Sequence, residues 1–131
     1  MRLMVKPISE IDARLEADLA KICADIPEWL APQLAAVTDG YLFTSTFNDR
    51  HIASCHVNLE QRSLIIEHLI VGEINRNRGI GHDLLRQVIK HFKTPTQLTF
   101  NNDLKVPSTF RKVLVSCGYE PQVDGSWMLS S

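Results

Sequence analysis

An excess of one charge is missing from this 131-residue chain: 14 Lys and Arg stand against 15 Asp and Glu, a formal charge of −1. A general nucleic-acid binder neutralises phosphates with a basic face, and this balance offers none. Long apolar runs are missing too. None approaches the ~18–20 residues that cross a bilayer, and the apolar stretch within Met1-Arg2-Leu3-Met4-Val5-Lys6-Pro7 is too short for a secretory leader. Cysteine is scarce: Cys23, Cys55 and Cys117 are odd in number and widely spaced, which suits neither a disulfide framework nor a zinc site. They read as small buried hydrophobes in the reducing cytoplasm. The five histidines suggest no metal site either. His51 and His56, five apart on an expected strand, should face opposite sides, while His68, His82 and His91 have no acidic or thiol partner at ligand spacing. Repeats, low-complexity tracts and linkers are also absent. What remains is 44% apolar, and a chain of this size buries roughly 65–70% of its unfolded surface. The expectation is a single domain, residues 1–131, with no membrane span and no metal.

Residues 3–7 can form a first strand. Ser9 looks like a helix N-cap, with Asp12 three residues on in a capping-box-like position. Ile11, Leu15, Leu19, Ile22 and Ile26 then recur at helical steps. Pro27 ends that helix or starts the next, and Trp29, Leu30, Leu34 and Val37 suggest a second, closed by Asp39-Gly40. The pattern then changes. Residues 41–47, 51–59 and 63–71 read as three strands with short connections, hence an antiparallel meander. The third is almost continuously apolar, as a central strand covered on both faces would be. Residues 79–92 predict an amphipathic helix, 97–100 a fifth strand, and 107–117 a helix with Pro107 in its first turn and Gly118 at its C-cap. Tyr119 and Trp127-Met128-Leu129, around the Asp124-Gly125 turn, can supply a closing hairpin. The order βααβββαβαββ is that of an α/β layered domain, a mixed, mostly antiparallel sheet flanked by helices.

The chemistry concentrates where the third of those strands meets the following helix. Leu69-Ile70-Val71 runs into Gly72-Glu73-Ile74-Asn75 and then Arg76-Asn77-Arg78-Gly79-Ile80-Gly81. Glycine lets the backbone turn tightly and approach a ligand without a Cβ in the way. Amides from Arg78 to His82 would be unpaired donors at a helix N-terminus, where the helix dipole also favours an anion. Arg76 and Arg78 supply charges suited to phosphate oxygens. No Gly-Lys-Ser/Thr follows, so this is no Walker loop. Leu84 stands where a dinucleotide fingerprint needs its third glycine, and no acidic ribose partner ends a following strand. The plainer alternative, a strand–helix connection with basic residues facing water, leaves two arginines and two glycines unexplained by folding.

Arg-x-x-Gly-x-Gly after a strand ending Leu-x-Val resembles the acetyl-coenzyme A motif of the GCN5-related N-acetyltransferase (GNAT) superfamily, and the element order above is that fold's order. The resemblance implies that pantetheine lies along Leu69, Ile70 and Val71 as though it were a further strand. It also implies that the pyrophosphate lies over Arg76, Asn77, Arg78, Gly79, Ile80, Gly81 and His82, with Asn75 a further cofactor-binding residue. Within the superfamily the chain is similar to a small branch of about this length, the factors that bind aspartate 1-decarboxylase. Phe47-Asn48-Asp49-Arg50, the block from Leu69 to Gly81, and Gly118-Tyr119 followed by Gly125-Ser126-Trp127 carry that likeness. Such factors bind the decarboxylase proenzyme in a coenzyme A-dependent way, promote its self-cleavage and restrain the mature enzyme. The resemblance implies the same here, with Asn48 as a contact to the partner; on the residues alone Asn48 reads equally as a turn asparagine.

An N-acetyltransferase remains the alternative. It needs a base for the acceptor amine and usually an acid for the leaving thiolate. Many family members carry that acid on a tyrosine four residues before the glycine that ends the penultimate helix; here that position is Leu114, which has no proton to give. Tyr119 reads as core packing. Glu67 and His68, beside the cofactor strand, are the candidates for proton transfer, one facing the acceptor side and the other a helix layer if the strand alternates. Arg50, Lys105 and Arg111 read by default as a solvated face, with the partner surface or the adenosine 3′-phosphate site as the alternative; Asn101 and Asn102 flank the cleft where pantetheine would emerge and are candidates for a polar cofactor contact.

Overall fold

The structure is a computed structural model that describes residues 3–76, 78–101 and 110–130. Seven strands form one sheet: β1 (Met4–Pro7), β2 (Tyr41–Phe47), β3 (Arg50–Glu60), β4 (Ser63–Val71), β5 (Gln97–Phe100), β6 (Tyr119–Pro121) and β7 (Trp127–Leu129). Their spatial order is β1-β2-β3-β4-β5-β7-β6. Only β4 and β5 pair in parallel, because the helix α3 (Ile80–His91) carries the chain back between them. Two helices, α1 (Ala13–Ile22) and α2 (Leu30–Asp39), cover one face; α3 and α4 (Phe110–Ser116) cover the other.

Each face has its own core. Leu84, Leu85, Val88 and Ile89 of α3 pack with Phe43, Cys55, Val57, Leu64, Ile66 and Leu98. Leu15, Leu19 and Ile22 of α1 pack with Cys23, Ala36 and Leu42. The expected meander is β2-β3-β4, antiparallel throughout. The closing hairpin also forms, but its second strand inserts between β5 and β6, so Trp127 opposes both Leu98 and Pro121. Gly118, at φ +96°, makes the left-handed turn that ends α4.

Two expectations are corrected here. The N-cap of α1 is Asp12, not Ser9: its carboxylate accepts the Leu15 amide at 2.7 Å. With the helix starting at residue 13, Ile11 falls outside it and is 44% exposed. His51 and His56 do not face opposite sides. Ser45 pairs with Ala53 and Thr46 with His51, so Ile52 is an extra residue in β3. That bulge shifts the parity of the strand and turns His51 to the side of Thr44, Ser54 and His56. The His51 Nδ1 lies 2.8 Å from the Thr44 hydroxyl. Among the described residues, no helix is long and apolar enough to cross a membrane, and no group of three or more His, Cys, Asp or Glu is placed to hold a metal ion.

Candidate functional site

A second bulge shapes the centre of the sheet. His56 pairs with His68 and Val57 with Ile66, leaving Glu67 unmatched in β4. Leu64 and Ile66 before it, and Leu69 and Val71 after it, therefore all face α3 and α4, whereas His68 and Ile70 face α1 and α2. The bulge coincides with a parting of strands. β5 pairs with β4 only over Ser63–Ile66, and one further bond, from the Asn101 amide to the Ile66 carbonyl at 2.9 Å, closes the ladder. Beyond it, β4 keeps β3 on one side through Val71, while its other edge has no strand beside it among the described residues. An open strand edge inside a sheet presents a row of backbone donors and acceptors to whatever extended chain enters there.

This edge leads to the α3 N-terminus. The Gly72 amide donates to the Ile52 carbonyl at 2.9 Å, a 3-10 turn spans Glu73–Asn75, and Gly79 turns the chain at φ +75°. A left-handed N-cap without a side chain has no group to satisfy the first helical amides, and none is satisfied that way here. The backbone runs from Gly79 into the helix, where the Asp83 amide donates to the Gly79 carbonyl at 3.1 Å. Gly81 is needed for packing. A Cβ there would lie 3.3 Å from Phe110 Cζ and 3.4 Å from Val71 Cγ2, so the helix end sits close against the end of β4.

The sequence-predicted residues fall as follows. Leu69, Ile70 and Val71 form the open segment of β4; their side chains pack into the two cores, which leaves the backbone edge for pairing. Asn75 ends the 3-10 turn, and its amide donates to the Gly72 carbonyl. Arg76 reaches back: Nε donates to the Val71 carbonyl at 2.9 Å, and Nη1 lies 2.8 Å from the Asp25 carboxylate. Asn77 lies outside the described residues, as do Asn102 and Lys105. Arg78 is exposed. The Ile80 side chain is buried in the α3 core, so only its backbone is available to a ligand. The His82 ring stands edge-on to Phe110, 4.8 Å between centroids.

Glu67 and His68 diverge. Glu67 accepts from Asn101 Nδ2 at 3.4 Å, where the strands part. His68 turns to the helix layer, with Nδ1 3.1 Å from His56 Nδ1 and its ring edge-on to Trp29 at 4.7 Å. Burial holds both imidazoles below the usual histidine pKa, for His56 with help from the neighbouring His68; the Glu67 carboxylate opposes the shift. Leu114 is buried in the core. Tyr119 is buried too, and its hydroxyl donates to the Pro95 carbonyl; burial pushes its pKa up to about 12. Asn48 is on the β2–β3 turn, at the same end of the sheet as the α3 N-terminus.

Sequence reasoning missed Asp18. Its side chain is 2% exposed, yet it receives Arg50 Nε at 3.1 Å, Arg50 Nη2, and the His51 amide at 3.0 Å. Burial raises its pKa, but the Arg50 hydrogen bonds, the His51 amide and the guanidinium charge outweigh that and leave it below the ordinary aspartate value. A signal existed: Asp18 shares the α1 stripe with Leu15 and Ile22. Arg50 is therefore ion-paired rather than simply solvated, and Arg111 lies 6.0 Å over the Trp127 ring.

Comparison with known proteins places this geometry. The E. coli protein YhhK, in its coenzyme A-bound solution NMR structure, superposes with a TM-score of 0.73 at 21% identity, covering 99% of this chain and 100% of that one. The PanD regulatory factor of Salmonella typhimurium is 30% identical over 90 residues, which is 69% of this chain and 68% of the relative. That of Escherichia coli is 28% identical over 91 residues, 70% and 69% respectively. The family described as Acetyltransferase (GNAT) domain, PanZ, matches residues 2–127. With strands parting at β4, a glycine-opened α3 and a match along nearly its whole length, the chain belongs to the PanZ family of GNAT domains.

Proposed function

We propose that this protein binds coenzyme A or acetyl-coenzyme A and, so loaded, regulates aspartate 1-decarboxylase in the cytoplasm by promoting self-cleavage of the proenzyme and restraining the mature enzyme. The observation that carries the reading is the continuity between the open edge of β4 and the N-terminus of α3, which opens on a glycine cap with no side chain. Pantetheine is an extended chain with two amides, suited to pair with the backbone of Leu69–Val71. A diphosphate suits the amides of Ile80–His82 and the helix dipole. Arg78 is exposed and available to phosphate oxygens, as is Arg76 once it leaves Asp25. The names of the two relatives support the partner. Asn48, exposed on the β2–β3 turn, is the contact proposed on this side.

Regulation through a cofactor is a linkage: coenzyme A completes the surface that the decarboxylase meets, so each ligand raises the affinity of the other by the same factor. An active N-acetyltransferase is the second reading, favoured by one observation, the Glu67 carboxylate where β4 and β5 part. In that reading Glu67 takes the proton from an acceptor amine. Against it stand the apolar Leu114 and the commitment of the Tyr119 hydroxyl to Pro95.

The deciding experiment mixes decarboxylase proenzyme with this protein, with and without coenzyme A, and follows conversion to two shorter chains by gel. Acceleration that requires coenzyme A is the expected result. No acceleration and no co-purification, together with thiol release from acetyl-coenzyme A on an amine panel that Glu67→Gln abolishes, would establish the transferase instead.

A further inference from the structure

The β2–β3 turn is held in an unusual way. Asn48 and Asp49 both have positive φ, +52° and +63°, without being glycine. Two-residue hairpin turns of this hand are favoured by the sheet's twist but strain residues that carry a Cβ, and most such turns place a glycine second. Here an aspartate stands second, and the compensation comes from α1. The buried Asp18 carboxylate takes Arg50 in a fork and the His51 amide as well, so four hydrogen bonds fix the two residues after the turn. One turn earlier on the same helix, Arg14 Nη1 reaches the Asp49 carbonyl at 3.4 Å. The Ile52 bulge just beyond points the His51 amide at α1. An exposed turn of two residues is thus anchored on its inner side by a carboxylate that is itself withdrawn from water.

The geometry points to Asp18 and Arg50 as positioning residues for the partner surface: they hold the backbone of the turn at Asn48 and Asp49 in the conformation that presents Asn48 to the decarboxylase. This rests on the proposed function above. The pair also stabilises the fold, but a glycine at position 49 would relieve the turn without any anchor from α1. What the arrangement supplies is a fixed conformation. Order before contact matters for affinity, since a turn that is already rigid has less freedom to lose on binding. Among the described residues, the hydrogen bonds of Asp18 and Arg50 join α1 to the start of β3 and none reaches the 3-10 turn or the start of α3, so removing them leaves the cofactor's own contacts in place.

The test compares the wild type with Asp18→Asn, and with Arg50→Lys as a milder variant in case the first folds poorly. Three quantities are read at a temperature where each protein is fully folded by circular dichroism. Coenzyme A affinity, by titration calorimetry, should stay within twofold. Decarboxylase affinity, with coenzyme A saturating, should fall at least tenfold for Asp18→Asn and less for Arg50→Lys, which keeps the charge but not the fork. The 15N order parameters of Asn48 and Asp49 should fall from about 0.85 in the wild type to below about 0.6 in Asp18→Asn. A folded Asp18→Asn protein that binds the decarboxylase as tightly as wild type, or whose turn stays rigid, overturns the inference. A wild type that binds coenzyme A but not the decarboxylase overturns the proposed function itself, and is told apart because the variant is not needed to see it.

Discussion

Reversing the charge of Arg78 separates an anion site from a merely basic surface. Arg78 is exposed and makes no hydrogen bond or ion pair with the described residues, so Arg78→Glu breaks none of those bonds and should leave the melting temperature within about a degree. Its effect on coenzyme A is different. Two unit charges at ~4 Å interact by about 1 kcal/mol even at the dielectric of water. Replacing an attraction by a repulsion doubles this to about 2 kcal/mol for each phosphate charge it meets, before screening. At physiological salt, with a Debye length of about 8 Å, an expected loss of roughly 1.5–2 kcal/mol remains, a ten- to thirtyfold rise in Kd. Arg86 supplies the control. It lies on the exposed side of the same helix, six residues past Ile80 and so about 9 Å further along the axis. Arg86→Glu makes the same change in net charge at more than a Debye length and should alter affinity less than twofold. Titration calorimetry of both variants at two salt concentrations gives the answer. Equal weakening by the two would mean that only overall charge matters; no weakening by Arg78→Glu would refute the placement of the diphosphate at the start of α3.

Other expectations follow from packing and titration. Leu84→Ala, at a fully buried position on α3, should cost 2–5 kcal/mol in chemical denaturation, since the surrounding core collapses only partly into the space. Tyr119→Phe removes the hydroxyl that satisfies the Pro95 carbonyl and should destabilise by about 1–2 kcal/mol without changing coenzyme A affinity. The His56–His68 pair sets a pH dependence. Both imidazoles titrate below 6.5 in the fold and near 6.5 in the unfolded chain, so below about pH 6.5 the unfolded state takes up protons that the native state refuses. Their stabilising share is complete above pH 6.5 and declines as pH falls toward the folded values; denaturation midpoints between pH 7.5 and 5.5 should show this slope, and His68→Gln should flatten it.

The features legible in the sequence were those whose signal is local. The stripe from Ile80 to Phe92, glycine at 79 and 81, and the aromatic and β-branched run after Gly40 each follow from propensity and period within one segment. The strand–helix loop stood out for the same reason. What could not be read depended on strand register. A bulge costs one residue of pairing and leaves no mark in composition, yet Glu67 in β4 and Ile52 in β3 decide which side chains face α1 and α2. They bring His56 to His68, turn His51 toward Thr44 and set Glu67 where β5 leaves. Asp18 was hidden for a related reason: an aspartate on an apolar stripe becomes meaningful only when the arginine 32 residues later is seen to reach it. Serine suits a helix cap and Ser9 has the right sequence context, but only Asp12 sits where its carboxylate meets the Leu15 amide.

The most direct test is to add coenzyme A to 15N-labelled protein and record which backbone amides respond. The largest shifts should fall on Ile80, Gly81 and His82, with a second group along Leu69–Val71. Binding that leaves those amides unmoved and perturbs another face of the sheet would contradict the proposed coenzyme A site.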